Sequence, residues 1–207
     1  MENLSALAGD TPGAFLLLAV ILIAGLVGLF ASPTLIERCL FRPYWLLRNN
    51  EWSTLVTNAF VHADLPHLIF NAFTFWAFAF SLEAVMGTAR FLALYAFGLL
   101  VGDLGTYSRH RHDPEYRTLG ASGAILAVLF AAIVYTPTSS VFILPIPVPI
   151  PAPLFALGYL AYTYYASRQA RGRVNHDAHL GGALAGLGFV ALTDWAAVAR
   201  AWRVVAG

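Results

Sequence analysis

The chain contains no lysine: all 12 basic residues are arginine, and against 11 acidic residues they leave a formal net charge of +1. A near-neutral chain of this kind offers no basic surface for nucleic acid, which is not expected as a partner. Charge of either sign is scarce. Charged residues make up 11% of the sequence, less than half of the roughly 25% usual in soluble domains. That scarcity excludes an ordinary water-soluble fold of this length. Cys39 is the single cysteine, so an internal disulfide is excluded and the redox compartment is not legible. No His-Glu-x-x-His is present. His176 and His179 are three apart, and His110 and His112 flank a loop, but no second cluster has the spacing of a closed metal site. Neither a metal nor a cofactor is expected.

What is abundant is apolar. Hydrophobic residues form 59% of the 207 positions, and the mean hydropathy is +0.69. Lipid is the solvent that fits. Six helices of about 20 residues with short connections use nearly the whole length, which leaves no room for a separate soluble domain. The expectation is an all-α membrane protein with six transmembrane helices: a short tail over 1–11, a membrane domain over 12–201 and a short tail over 202–207.

The first span is placed at Pro12–Ala31. It lacks a basic segment before it and is long for a signal sequence, so it reads as a retained helix. A connection from Ser32 to Leu65 follows, carrying Arg38, Arg42 and Arg48 among Phe41, Tyr44, Trp45 and Trp52. Arginine mixed with aromatics suits a segment lying at the membrane–water interface. The second span covers Pro66–Met86 and the third Ala89–Tyr107. The fourth runs from Thr118 or Leu119 to Pro137, the fifth from Pro151 to Ser167, and the sixth from Asn175–Asp177 to Trp195. Prolines at every second position from Pro145 to Pro153 forbid helix before the fifth span and favour extended chain.

Spans joined by short loops alternate in direction, so the second, fourth and sixth begin at the same membrane face. Polar residues that are costly in lipid lie at those three starts. His67 and Asn71 are one turn apart in the second span, Ser122 lies in Gly120-Ala-Ser-Gly123, and His179 lies in Asp177-Ala-His-Leu-Gly-Gly182. At 1.5 Å rise per residue, all four fall within about 10 Å of one face. A serine hydroxyl becomes a nucleophile when a base takes its proton, and histidine is the usual base. A tetrahedral intermediate needs donors aimed at its oxyanion, which Asn71, His67 and the Ser122 N–H can supply. No carboxylate is placed to orient His179, so a Ser–His dyad is expected. Gly120 and Gly123, with Gly182 and Gly186, make the fourth and sixth helices slim enough for their short side chains to meet. Singly, each residue has a structural reading. Gly-x-Ser-Gly is a packing pattern, His179 could bond a carbonyl, and Asn71 could be interhelical glue. Their convergence on one face favours catalysis.

At these positions the sequence resembles the rhomboid family of intramembrane serine proteases. The matching pieces are His67-x-x-x-Asn71, Gly120-x-Ser122-Gly123 and Ala178-His179-x-x-Gly182-x-x-x-Gly186. Further matches are Thr57-x-x-Phe60-x-His62, Glu83 with Gly87, and Asn175-His-Asp-Ala-His179. The resemblance implies a rhomboid-like six-helix bundle with an interfacial first loop. Ser122 would be the nucleophile, His179 the base, and His67 and Asn71 the oxyanion donors. Substrates would be transmembrane proteins entering from the bilayer beside the second and fifth spans, with Phe70 as a candidate gate. Two positions depart from the family pattern: Trp52-Ser53 stands where many members have Trp-Arg, and Leu126 where many have an aromatic residue one turn after the serine. The alternatives are a non-catalytic rhomboid-like protein that binds transmembrane clients, and a small transporter, whose polar groups should lie at mid-depth.

The resemblance also implies a bacterial inner membrane with the site facing outward. Arginine counting points the other way. The face bearing the site has Arg38, Arg42, Arg48, Arg109, Arg111, Arg117, Arg168, Arg171 and Arg173, whereas the opposite face has Arg90, Arg200 and Arg203.

Overall fold

A computed structural model describes residues 9–143, 146–169 and 174–207. Arg171 and Arg173 of the arginine count, and Leu144-Pro145 of the proline-rich stretch, lie outside the described residues. The chain is mostly helical. Helix α1 spans Pro12–Leu26 and continues as a π-helical turn, Val27–Ala31. The first connection holds three short helices, α2 (Pro33–Cys39), α3 (Pro43–Leu46) and α4 (Thr54–Thr57). Then come α5 (Leu65–Met86), α6 (Thr88–His110), α7 (Ser122–Tyr135), α8 (Ala152–Gln169), α9 (His176–Thr193) and α10 (Trp195–Ala206).

Three of these, α1 with its π turn, α5 and α6, are long and apolar enough to cross a bilayer, and α9 with α10 adds a fourth if the bent pair is one span. The expected count of six is therefore only partly met by length and composition. Helix α7 is apolar but has 14 residues, about 21 Å of rise against a hydrocarbon core of about 30 Å. Helix α8 is diluted by tyrosine, threonine and serine. Large apolar side chains face outward around the bundle, among them Leu16, Ile23, Trp76, Leu104 and Leu157. Water would not tolerate such a surface; lipid does.

Helix α7 is the axis of the bundle. Every residue from Gly123 to Ile133 is buried, as expected of a helix that is hydrophobic on all sides. Helices α5, α6, α8 and α9 surround it. The contact between α7 and α9 is set by glycine. A Cβ on Gly182 would overlap the Gly123 carbonyl, and one on Gly186 would overlap the Ala127 carbonyl. Phe75 packs against Phe91 and edge-on against Tyr95 to fill the α5–α6 layer.

Glu83 is fully buried. Its carboxylate accepts hydrogen bonds from the Gly13 and Ala14 N–H groups at the start of α1. A helix start leaves N–H groups unpaired and carries partial positive charge, so a carboxylate there is stabilised twice over. This contact fastens α1 to the far end of α5.

The first connection is stitched to the segment that leads into α7. Phe41 and Thr118 exchange backbone hydrogen bonds at 2.9 and 3.0 Å, Gly120 N–H donates to the Asn58 carbonyl at 2.9 Å, and Trp45 Nε1 donates to the Pro114 carbonyl at 3.3 Å. Arg42 pairs with Glu51 through its Nε and Nη2 donors, a bidentate clamp within the loop that carries Trp52-Ser53. Asp103 is buried in α6 and accepts from Asn58 Nδ2 at 2.9 Å. It ties the same connection to the bundle.

Two features correct the sequence reading. The chain is not purely helical: β1 (Ser140–Ile143) and β2 (Ile146–Pro151) pair antiparallel, with Val141 opposite Ile150 and a register shift after Phe142. Extended chain was expected there, but not its pairing. Prolines at every second residue place their missing N–H groups on one edge of β2, leaving the residues between them to serve the ladder. The second correction lies at the C-terminus. The sixth helix ends at Thr193, the chain turns by 111°, and α10 runs on through the position where a tail from 202 was expected. Asp194 makes the turn by accepting from Ala197 N–H at 3.0 Å and from the Tyr135 hydroxyl at 3.1 Å. The Ala197 bond leads in holding its carboxyl below the usual range.

Candidate active site

Ser122 opens α7 after Gly120, whose φ of +116° is open to glycine and strained for other residues. A side chain at Gly120 would also strike the His67 ring, since its Cβ would stand 2.7 Å from Cε1. The Ser122 N–H belongs to the first turn of α7, where backbone donors have no acceptor within the helix. His179 is delivered by the first turn of α9. Asn175 caps that helix by accepting from Ala178 N–H at 3.0 Å, and its Nδ2 donates to Thr106 Oγ1 at 2.9 Å and Thr118 Oγ1 at 3.2 Å. One asparagine thus locks the start of α9 to α6 and to the approach to α7.

The two side chains meet: Ser122 Oγ lies 2.8 Å from His179 Nε2. They stand at the wall of a cavity of about 670 Å³, bordered by α5, α7, α8 and β1. Asn71 lines the same cavity and is buried, and its Nδ2 has no hydrogen-bond partner among the described residues. An unpaired buried amide donor is costly unless something fills its valence. Phe70 lines the cavity too, with 56% of its surface exposed. His67 lies behind Gly120 and outside the cavity lining, with the His62 ring edge-on at 5.0 Å. Burial, then proximity to His67, hold the loop residue His62 well below the usual imidazole range, so it is neutral.

Asp177, two residues before His179, faces elsewhere. Its carboxylate meets His110 Nε2 at 3.0 Å and Arg109 at 3.9 Å, and His110 stacks on Tyr116 with centroids 3.5 Å apart. His179 Nδ1 is met instead by the Tyr159 hydroxyl of α8, at 3.0 Å. Nothing in the sequence alone singles out Tyr159 among the tyrosines of this helix. The signal that such a contact is needed is Leu126: without an aromatic ring one turn after the serine, the imidazole needs another neighbour.

A serine hydroxyl in hydrogen-bond contact with an imidazole, beside an unpaired amide donor, can transfer its proton as it attacks a carbonyl carbon. This is an integral membrane protein whose buried helix presents such a pair to a cavity among its neighbours. The Rhomboid domain model matches residues 49–195, and the chain belongs to the rhomboid family. It is 42% identical over 80 residues to the putative rhomboid protease YdcA of Bacillus subtilis, covering 39% of each chain. It is 34% identical over 95 residues to the rhomboid protease GluP of the same organism, covering 46% of this chain and 18% of GluP. Against the human mitochondrial presenilin-associated rhomboid-like protein it is 30% identical over 149 residues, covering 67% of this chain and 37% of the relative. The matched stretches span two fifths or less of these relatives' lengths.

Proposed function

We propose that this chain is an intramembrane serine protease that hydrolyses peptide bonds in or near the transmembrane segments of membrane-protein substrates, through a Ser122–His179 dyad. The observation that carries the reading is the 2.8 Å contact between Ser122 Oγ and His179 Nε2 at the wall of the cavity.

The proposed steps use that contact. Ser122 Oγ attacks the scissile carbonyl carbon while its proton passes to His179 Nε2. The carbonyl oxygen gains the negative charge and is held by Asn71 Nδ2 and the Ser122 N–H; His67, which stands behind Gly120, joins them as third donor when its ring turns toward the cavity. As the carbon–nitrogen bond breaks, His179 returns the proton to the leaving amine, and the acyl group remains on Ser122. Water then attacks the ester, His179 takes its proton, and collapse restores the serine hydroxyl. The apolar walls of the cavity suit a transmembrane segment arriving between α5 and α8, with Phe70 at the gate.

In this reading α5 to α9 all cross the bilayer with α1, giving six spans, and α2 to α4 lie at the interface. The α7 segment crosses with fewer helical residues than its neighbours because the chain before Ser122 covers the remaining depth, so its serine is recessed below the surface and reached by water through the cavity. Helix α10, turned by 111° from α9 and carrying Trp195, Arg200, Trp202 and Arg203, lies along the opposite interface.

The decisive test is purified protein in liposomes with a generic single-span substrate. Wild type cuts it, whereas a rhomboid-like client binder would hold it uncut. Asn71→Ala lowers kcat by about 10²–10³-fold with the fold retained, the usual cost of one oxyanion donor; unchanged kcat would remove Asn71 from the mechanism.

The proposed membrane is the bacterial inner membrane with the cavity open to the outer side, against the arginine count. Glu115, exposed between α6 and α7, reports on this. A cysteine placed there is labelled in intact cells by an impermeant maleimide if the site faces outward. Labelling only after lysis reverses the orientation.

A further inference from the structure

We propose that Tyr159 is a positioning residue for His179, holding the imidazole in the tautomer that can accept the Ser122 proton. The proposal rests on the protease reading and goes beyond the dyad. Neutral imidazole carries one N–H. Nε2 can act as a base toward Ser122 only when the hydrogen sits on Nδ1, and the group facing Nδ1 decides which tautomer is held. In many serine hydrolases that group is a carboxylate. Here the nearest acidic residue on α9, Asp177, is engaged by His110 and Arg109, and the group at Nδ1 is the Tyr159 hydroxyl at 3.0 Å.

A phenol can accept from Nδ1–H or donate to a bare Nδ1, so its own hydrogen must go elsewhere for the productive tautomer to win. With the phenol hydrogen turned away from His179, the Tyr159 oxygen offers its lone pairs to Nδ1–H, and Nε2 is left bare toward Ser122. The ring plane is fixed by Phe155, near-parallel with centroids 5.6 Å apart, and by Phe130 at 5.8 Å. The polar chain therefore runs Ser122, His179, Tyr159 along one wall of the cavity. Because Leu126 has no ring to hold the imidazole, a residue of α8 takes that duty.

Tyr159→Phe removes the hydroxyl and keeps the ring between Phe155 and Phe130, so the fold should stand. With the liposome assay above, kcat falls about 10- to 100-fold while KM stays within twofold. That loss is smaller than the ~10⁴-fold of a lost triad carboxylate, because a neutral hydrogen bond is roughly half as strong. The rate of Ser122 modification by a small fluorophosphonate falls in parallel, although that probe needs no substrate groove. A Tyr159→Phe kcat within twofold of an active wild type overturns the proposal alone, as does a loss confined to KM. A wild type that cuts nothing overturns the protease reading and this proposal together.

Discussion

Ser122→Ala is expected to abolish the proposed proteolysis: cleavage of a transmembrane substrate should fall by at least about 10⁴-fold while the protein stays folded. In the proposed mechanism the hydroxyl is the attacking atom, so its loss would remove the covalent route and leave only what binding and oxyanion contacts supply. The fold should not notice. Ser122 is the first residue of α7 without being its cap, and the hydrogen bond its Oγ makes is to His179. His179→Ala should cost about as much, and the double variant no more than either single one, because the two groups act as a unit. Additive losses in the double variant would mean that the two residues act independently.

Gly182→Val destroys the site by a different route. Its Cβ would overlap the Gly123 carbonyl next to Ser122, and a backbone atom cannot swing aside. Helices α7 and α9 must separate or the chain must misfold. Overpacking of this kind costs about 1–3 kcal/mol or more, and a shift of about 1 Å between reacting groups costs about 10²-fold in rate. Activity should be lost together with a fall in the thermal midpoint in detergent. Gly188, on the same helix, is the control: an added Cβ there meets nothing within 4 Å. Gly188→Ala should retain full activity and stabilise the helix by up to about 1 kcal/mol. Equal behaviour of the two variants would show that close approach at Gly182 is not what brings the serine and histidine together.

The legible part of this protein is its polar residues at helix starts. His67, Asn71, Ser122 and His179 stand out because lipid makes each expensive, and alternation of direction puts three helix starts on one face. The glycine pattern was equally readable, since Gly182 and Gly186 mark the face on which α9 approaches α7. Contacts that depend on how a helix is rotated about its axis were not readable. Tyr159 is one of several tyrosines on α8, and only the rotation of that helix turns its hydroxyl to His179. Asp103 reads as an isolated charge until the first connection folds back and presents Asn58. The late start of α7 was not readable either: Thr118 pairs with Phe41 and Gly120 turns at a φ of +116°, so the helix begins at Ser122 and not at Thr118 or Leu119. The turn at Asp194 was missed for a different reason: the apolar residues of α10 continue the pattern of α9, and the change from a buried to a surface helix shows in the spacing of Arg200 and Arg203, not in composition.

The most direct measurement is the site of covalent modification. Purified wild-type protein treated with a fluorophosphonate and mapped by mass spectrometry should carry the adduct on Ser122, with labelling lost in His179→Ala, which lacks the base. An adduct elsewhere, or equal labelling of wild type and Ser122→Ala, would contradict the assignment of Ser122 as an activated nucleophile.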